Sequence, residues 1–321
     1  MVTISKHLPR RGHDKMQRIL MTGIGGQVGA ALIQQIQAFY GVDDLVKAVD
    51  RSSFDLADPQ AMLVLLDDFL PTIIINPAAY TAVDLAESEP SLATTINAHA
   101  PAVLADWAKQ HDALLLHYST DYVFNGQKTA AYQEDDATDP QNVYGQSKLD
   151  GERAIVASGC RHLIFRTSWV YSAHGKNFVK TILRLAAERD QLSIVADQQG
   201  APTAADVIAD VSLAVLQQYS QMSCEQQQRV HGIYHLTGAG ATTWHAFAQY
   251  IVQQAQPYQT LRCGAENILP IPSSAYPTPA KRPANSCLDT RKLTETFDVV
   301  LPPWQSSVDQ VIAQLFHPAL D

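Results

Sequence analysis

Thr72-Ile-Ile-Ile-Asn76 is a strand-length apolar run with no polar alternation. A strand with one wet face alternates apolar and polar side chains. An uninterrupted run is buried on both faces, as in parallel sheets covered by helices. Comparable strand segments recur at residues 18–21, 45–49, 113–118 and 162–165. Helical patterns separate them at about 28–39, 58–69, 92–110 and 144–157, with Asp58 and Pro59 reading as N-cap and first helical residue. Strands alternating with helices predict an α/β fold, a doubly wound parallel sheet of Rossmann type with a smaller C-terminal α/β substrate domain. The boundaries expected are a disordered extension at 1–15, an NAD(P)-binding domain at 16–165, and a mainly substrate-binding domain at 166–321. Within the last, residues from about 203 to 235 return to the Rossmann sheet. Met16 is a conceivable alternative start.

Beyond residue 166 helical stretches fall at 178–188, 204–218 and 243–254, and the proline-rich segment 270–283 reads as a structured loop. Residues 217–228 read as a helix end and surface loop. With 321 residues a sizeable core is available, so no staple is required. The net charge of −9 argues against a nucleic-acid binder or a polybasic membrane protein. Cys160, Cys224, Cys263 and Cys287 form no C-x-x-C pair and read as free thiols of a reducing compartment. With no apolar run long enough to span a bilayer and no secretory h-region before Met16, the location expected is the cytoplasm.

Ligands of such sheets bind beyond the carboxyl ends of the strands. Gly23, Ala78, Thr120 and Thr167 each follow a strand and are expected along one rim. The first strand runs into Thr22-Gly23-Ile-Gly25-Gly26-Gln27-Val28-Gly29 and then a helix. Glycines there permit a tight turn and close approach of a dinucleotide pyrophosphate, which the helix N-terminus faces. The spacing G-x-x-G-x-x-G differs from the commoner G-x-G-x-x-G, although Gly25 could disguise the count. A strand–helix turn that merely needs glycine is the plainer alternative. Asp50 lies 21 residues after Gly29, where an acid bonds the adenosine ribose of NAD. Arg51 beside it could meet a 2′-phosphate instead, so the pair suggests tolerance of NADPH and NADH.

Tyr144 and Lys148 stand four apart on a predicted helix and share a face. An ammonium beside a phenol favours phenolate and lowers the phenol's pKa. Tyr144 would then protonate an alkoxide developing at a carbonyl, Lys148 would hold the nicotinamide ribose, and Thr120 would hydrogen-bond the same oxygen. A Y-x-x-x-K pair arises often on exposed helix faces. Its weight comes from the glycine turn and Ser119-Thr120 at neighbouring strand ends.

Several blocks go beyond these general signals. They include Asn76-Pro-Ala-Ala-Tyr-Thr-Ala-Val-Asp84, Ala86-Glu-Ser-Glu-Pro90, His117-Tyr-Ser-Thr-Asp-Tyr-Val-Phe124 and Asn142-Val-Tyr-Gly-Gln-Ser-Lys148. Phe165-Arg-Thr-Ser-Trp-Val-Tyr171, residues 197–203, Thr243-Trp-His245 and Ser274-Ala-Tyr-Pro-Thr-Pro-Ala-Lys-Arg-Pro283 continue the series. From about Met16 onward the chain resembles the extended short-chain dehydrogenase/reductases, and within them the dTDP-4-dehydrorhamnose reductases. The resemblance implies NAD(P)H-dependent reduction of the C4 ketone of dTDP-4-dehydro-L-rhamnose to dTDP-L-rhamnose. It implies cofactor contacts at Gly23, Gly26, Gln27, Val28, Gly29, Asp50, Arg51, Ala79, Tyr80, Thr81, Tyr118, Tyr144 and Lys148, with Asp55 and Leu56 on the adenine side. Thr120, Asp121 and Trp169 would touch the sugar, and Asn177 and Arg282 the diphosphate, which an Arg fork suits.

The chain departs from that pattern at Pro77 and Tyr80, where a small residue and a histidine are expected. Ala30 and Ala31 replace a bulky residue and a carboxylate that in some members helps a magnesium-bridged homodimer. Magnesium therefore belongs to the family expectation more than to this chain. The partner expected is a nucleotide sugar, with no nucleic acid, no membrane and a possible homodimer. His99, His111 and His117 make no ligand-spaced set and read as capped or surface histidines, and no metal site is expected. Trp169 reads equally as core or as a sugar-stacking ring. Asp84, Glu87 and Glu89 read as a charged helix start. Two other readings stay open, a related epimerase or dehydratase that regenerates its cofactor, and a non-catalytic regulatory subunit on the same fold.

Overall fold

The computed structural model describes residues 17–40 and 46–317. The expected extension at 1–15, the alternative start at Met16 and the beginning of the second strand at Leu45 lie outside them. The chain runs β1 (Ile19–Met21), α1 (Gln27–Tyr40), β2 (Val46–Ala48), α2 (Pro59–Phe69), β3 (Ile73–Asn76), α3 (Val83–Ala86), α4 (Pro90–Thr94) and α5 (Ala100–Gln110). Then follow β4 (Leu114–Thr120), α6 (Val143–Ser158), β5 (Arg161–Thr167), β6 (Val170–Tyr171), α7 (Phe178–Glu188), β7 (Leu192–Val195), β8 (Gln199–Gly200) and β9 (Thr203–Ala204). The last elements are α8 (Ala205–Gln221), α9 (Cys224–Arg229), β10 (Gly232–His235), β11 (Thr242–Thr243), α10 (Trp244–Ala255), β12 (Ile268–Ile271), α11 (Arg291–Phe297) and α12 (Trp304–Phe316).

Six strands form one sheet in the order β10-β5-β4-β3-β1-β2, every neighbouring pair parallel. The apolar runs explain why both faces are covered. Ile19, Met21, Ile73, Ile75, Leu114, Leu116, Leu163 and Phe165 enter one core, while Leu20, Ile74, Leu115 and Ile164 enter the other. β1 leads to β2 on one side and β3 lies on the other, so the winding reverses between β1 and β3. A crevice opens at such a point. There the Thr22 hydroxyl meets the Asn76 side-chain amide at 2.6 Å, tying the two strand ends together.

The local expectations mostly survive. Asp58 accepts from the Ala61 amide and Pro59 opens α2. The long helix expected over 92–110 is interrupted by a π segment, Thr95–His99, between α4 and α5. Pro101 has no N–H for the Asn97 carbonyl, so the bonding register shifts, and the Ala100 amide donates to Thr95. Residues 270 and 271, assigned to a loop, lie in β12 paired with β7; Pro270 is tolerated in a two-stranded edge. Residues 217–228, read as a helix end and surface loop, include most of α9, which starts there because Ser223 and Gln226 make a capping box. Asp84, Glu87 and Glu89 do more than charge a helix start. Asp84 pairs with Arg282 at 2.7 Å, Glu87 accepts from the Val143 amide, and Glu89 accepts from the Tyr80 hydroxyl.

Candidate active site

The carboxyl ends of the sheet border a cleft of about 830 Å³. Gly23, Ala78, Thr120 and Thr167 all line it, as their places after strands require. The glycines of the turn divide into two kinds. A Cβ on Gly23 would lie 2.8 Å from Ala78 Cα, and one on Gly29 would lie 2.1 Å from the Gly23 carbonyl oxygen. Gly23 also has φ of 64°, so these two make the turn and let α1 pack against β1. A Cβ on Gly25 would meet nothing within 4 Å, and Gly26 is nearly as open. Their exposed backbone at the start of the 14-residue α1 suits an anionic ligand.

Gln27, Val28, Asp50, Arg51, Asp55, Leu56, Ala79, Tyr80, Thr81, Tyr118 and Trp169 line the same cleft. Oδ1 of Asp50 accepts from the amides and hydroxyls of Ser52 and Ser53, which lowers its pKa. The loop at Tyr80 is pinned from the π segment. Asn97 accepts from the Tyr80 amide at 2.8 Å, and its Nδ2 donates to the Tyr80 carbonyl and to Ser147 Oγ. The Tyr118 hydroxyl bonds Ser212 instead of turning into the cleft.

Tyr144 and Lys148 sit in the first turns of α6, which Asn142 caps by accepting from the Gly145 amide at 2.7 Å. Burial pushes the Tyr144 phenol up to about 12, and a hydrogen bond with Thr120 opposes the rise. Lys148 is not among the groups that shift this phenol. Its Nζ donates to the Tyr118 carbonyl at 2.7 Å and lies 3.1 Å from His117 Nε2, so the ammonium is engaged by β4. Burial lowers Lys148 to about 8, while Glu152 acts to raise it. Asp121, 3% exposed, is pushed up to about 6 by burial, with hydrogen bonds from Ser286 and Thr120 opposing. Ser119 Oγ and Thr167 Oγ1 are buried beside the cleft without a partner among the described residues.

Trp169 forms a wall of the cleft and has φ of 49°, a costly conformation for so large a residue. Its ring stacks on Trp244 at 3.5 Å between centroids. Behind it, a Cβ on Gly200 would lie 2.4 Å from the indole. Two anticipated residues do not line the cleft. Asn177 caps α7 and donates to Gln27 Oε1 at 2.9 Å, while Arg282 is ion-paired with Asp84. An N-cap reading of Asn177 before Phe178 was open to the sequence. Lys176, next to it, does line the cleft and carried no signal of its own. His117 is wholly buried, against the surface or capping role expected.

A doubly wound sheet with a glycine turn at its switch point and a Tyr–Lys pair on the neighbouring helix defines an extended short-chain dehydrogenase/reductase, an NAD(P)H-dependent oxidoreductase class. The chain belongs, over residues 16–316, to the family described as the RmlD substrate binding domain. It is 44% identical to the dTDP-4-dehydrorhamnose reductase of Burkholderia thailandensis, covering 93% of this chain and 99% of that protein. The Escherichia coli K12 enzyme of the same name is 41% identical over 93% and 98% of the two chains. Among solved structures, the Bacillus anthracis dTDP-4-dehydrorhamnose reductase in complex with NADP superposes with a TM-score of 0.83. It is 31% identical, covering 94% of this chain and 100% of that one.

Proposed function

We propose that this chain reduces the C4 ketone of dTDP-4-dehydro-L-rhamnose to dTDP-L-rhamnose with NADPH or NADH. The observation that carries the reading is one cleft shared by the glycine turn, Thr120, Tyr144, Lys148 and Trp169. Relatives of this name match nearly end to end, which supports the substrate class. When bound, the coenzyme supplies a hydride. The open backbone at Gly25 and Gly26, and Asp50 held by its own loop, are suited to its pyrophosphate and ribose. Arg51 and Ser52 line the cleft beside Asp50 and would accept a 2′-phosphate, so both coenzymes fit. Lys176, which also lines the cleft, offers a cation for phosphate oxygens.

Tyr144 acts as proton donor, and a phenol near 12 is fully protonated at neutral pH. Thr120 donates to the same substrate oxygen, and Lys148 holds the ribose and supplies positive charge behind the phenol. Asp121 and Trp169 position the sugar. Asn177 and Arg282 act from behind the cleft, by capping α7 and by bracing Asp84. Residues 16–165 serve the cofactor and the remainder mainly the sugar. The Ala30 and Ala31 side chains offer no ligand atom for a magnesium-bridged contact of the kind the family resemblance implies. No helix among the described residues is long and apolar enough to cross a membrane. A homodimer, tested by sedimentation, would form without a carboxylate at positions 30 and 31.

The deciding assay supplies dTDP-4-dehydrorhamnose with NADPH and then NADH. One coenzyme oxidised per sugar reduced is expected, whereas an epimerase or dehydratase that regenerates its cofactor consumes none.

A further inference from the structure

Lys148 is one end of a buried chain of polar groups that reaches the strand ends at the sheet's switch point. Its Nζ lies 3.1 Å from His117 Nε2, and His117 Nδ1 lies 3.1 Å from the Asn76 amide nitrogen. Asn76 in turn meets the Thr22 hydroxyl at 2.6 Å. Asn76, His117, Lys148 and Thr22 are each no more than 2% exposed, so each must find its partners inside the protein.

A neutral imidazole carries one N–H, and an ammonium has donors only. With the Asn76 nitrogen donating to Nδ1, the imidazole proton sits on Nε2 and points at the ammonium, donor against donor. With the amide turned over, Asn76 Oδ1 accepts from Nδ1–H and its nitrogen donates to Thr22. Nε2 then presents a lone pair to Lys148. Only the second arrangement is compatible with a charged lysine. Burial and the nearby ammonium both hold His117 well below its ordinary pKa, so it does not compete as a cation.

We propose that His117, oriented by Asn76, is a positioning residue that accepts a hydrogen bond from Lys148 and keeps its ammonium charged and aimed beneath Tyr144. The inference rests on the reductase reading for its kinetic consequence and on geometry for its structural one. The other titratable groups facing the pair are Tyr144 and Glu152 on α6. Glu152 is salt-bridged to Arg166 of β5 at 2.6 Å, and Asp121 acts on Tyr144 from the end of β4. Glu152 favours the charged lysine, but its carboxylate is shared with Arg166, so the directional acceptor on Nζ other than the Tyr118 carbonyl is His117.

A hydrogen bond to the charged form raises a lysine's pKa, so removing the acceptor lowers it. His117→Leu is expected to move the alkaline limb of the kcat–pH profile down by about one unit. His117→Gln, which retains an acceptor, should leave that limb within a few tenths of a unit of the parent. Alkaline limbs unchanged in both variants, whatever the fall in kcat, would overturn the proposal. Nitrogen-15 spectra of the unaltered protein at pH 7 give a second reading that needs neither substrate nor a folded variant. Nδ1 protonated with Nε2 bare is expected, and a protonated Nε2 would overturn the assignment. Absence of turnover on dTDP-4-dehydrorhamnose would sink the reductase reading instead, and the tautomer would then decide the positioning role alone.

Discussion

The two sides of the cleft are built by different means. The side proposed for the cofactor consists of strand ends and the turns directly after them. There Gly23 and Gly29 sit where a side chain would collide with the backbone of the same turn or the adjacent strand end. The side proposed for the sugar is shaped by one ring, Trp169, in a left-handed backbone conformation between Trp244 and Gly200. The first side is backbone-made, at strand ends that the central sheet itself brings together. The second exists only when segments 31 and 75 positions downstream of Trp169 pack against it. Damage to either should therefore stay on its own side.

The largest effect expected is at the junction of the two sides. Tyr144→Phe removes the proton donor and should lower kcat by about 10³-fold while NADPH binding persists. Asp121, also at the junction, sharpens the comparison through stability. Its carboxyl titrates near 6 in the folded protein against an ordinary 3.8, so the folded state holds the proton more tightly. The resulting penalty is absent below the ordinary value, grows as pH rises between the two, and is complete above the folded one. Asp121→Asn should therefore stabilise the protein at pH 7 by up to about 3 kcal/mol, roughly 10² in the folding equilibrium, and lose that gain by pH 3. Thermal melts across pH provide the check; a gain independent of pH would contradict it.

On the sugar side, Gly200→Ala drives a methyl into the Trp169 indole. About a tenfold rise in KM for the nucleotide sugar is expected, with the Kd for NADPH unchanged. A parallel loss of NADPH affinity would break the separation between the two sides. The smallest effect belongs to the cofactor side. Arg51→Ala should weaken NADPH relative to NADH by a few-fold, on the scale of one exposed charge contact, and leave the sugar KM alone.

This difference in construction also governs what the sequence revealed. The apolar runs, the Asp58 cap and the glycine turn are consequences of neighbouring residues, so they could be read before the fold was known. The π segment has a local cause in Pro101, but its role in pinning Tyr80 needs two elements together. His117 joins β3, β4 and α6, and no spacing within one segment announces that. α11 and α12 carry a local signal of their own. Their buried faces, Leu293 and Phe297 in one and Trp304, Val308, Val311 and Ile312 in the other, recur at helical intervals. Trp169 could be placed on the rim but not oriented, because Trp244 and Gly200 decide its conformation.

The central claim is hydride reduction at C4 of a nucleotide-linked sugar. Incubating the protein with dTDP-4-dehydrorhamnose and NADPH deuterated at the transferable nicotinamide position tests it directly. The account predicts one deuterium at C4 of the dTDP-rhamnose formed, with its hydroxyl proton drawn from solvent. Deuterium at another carbon, or product formed with the label still on the coenzyme, would contradict it.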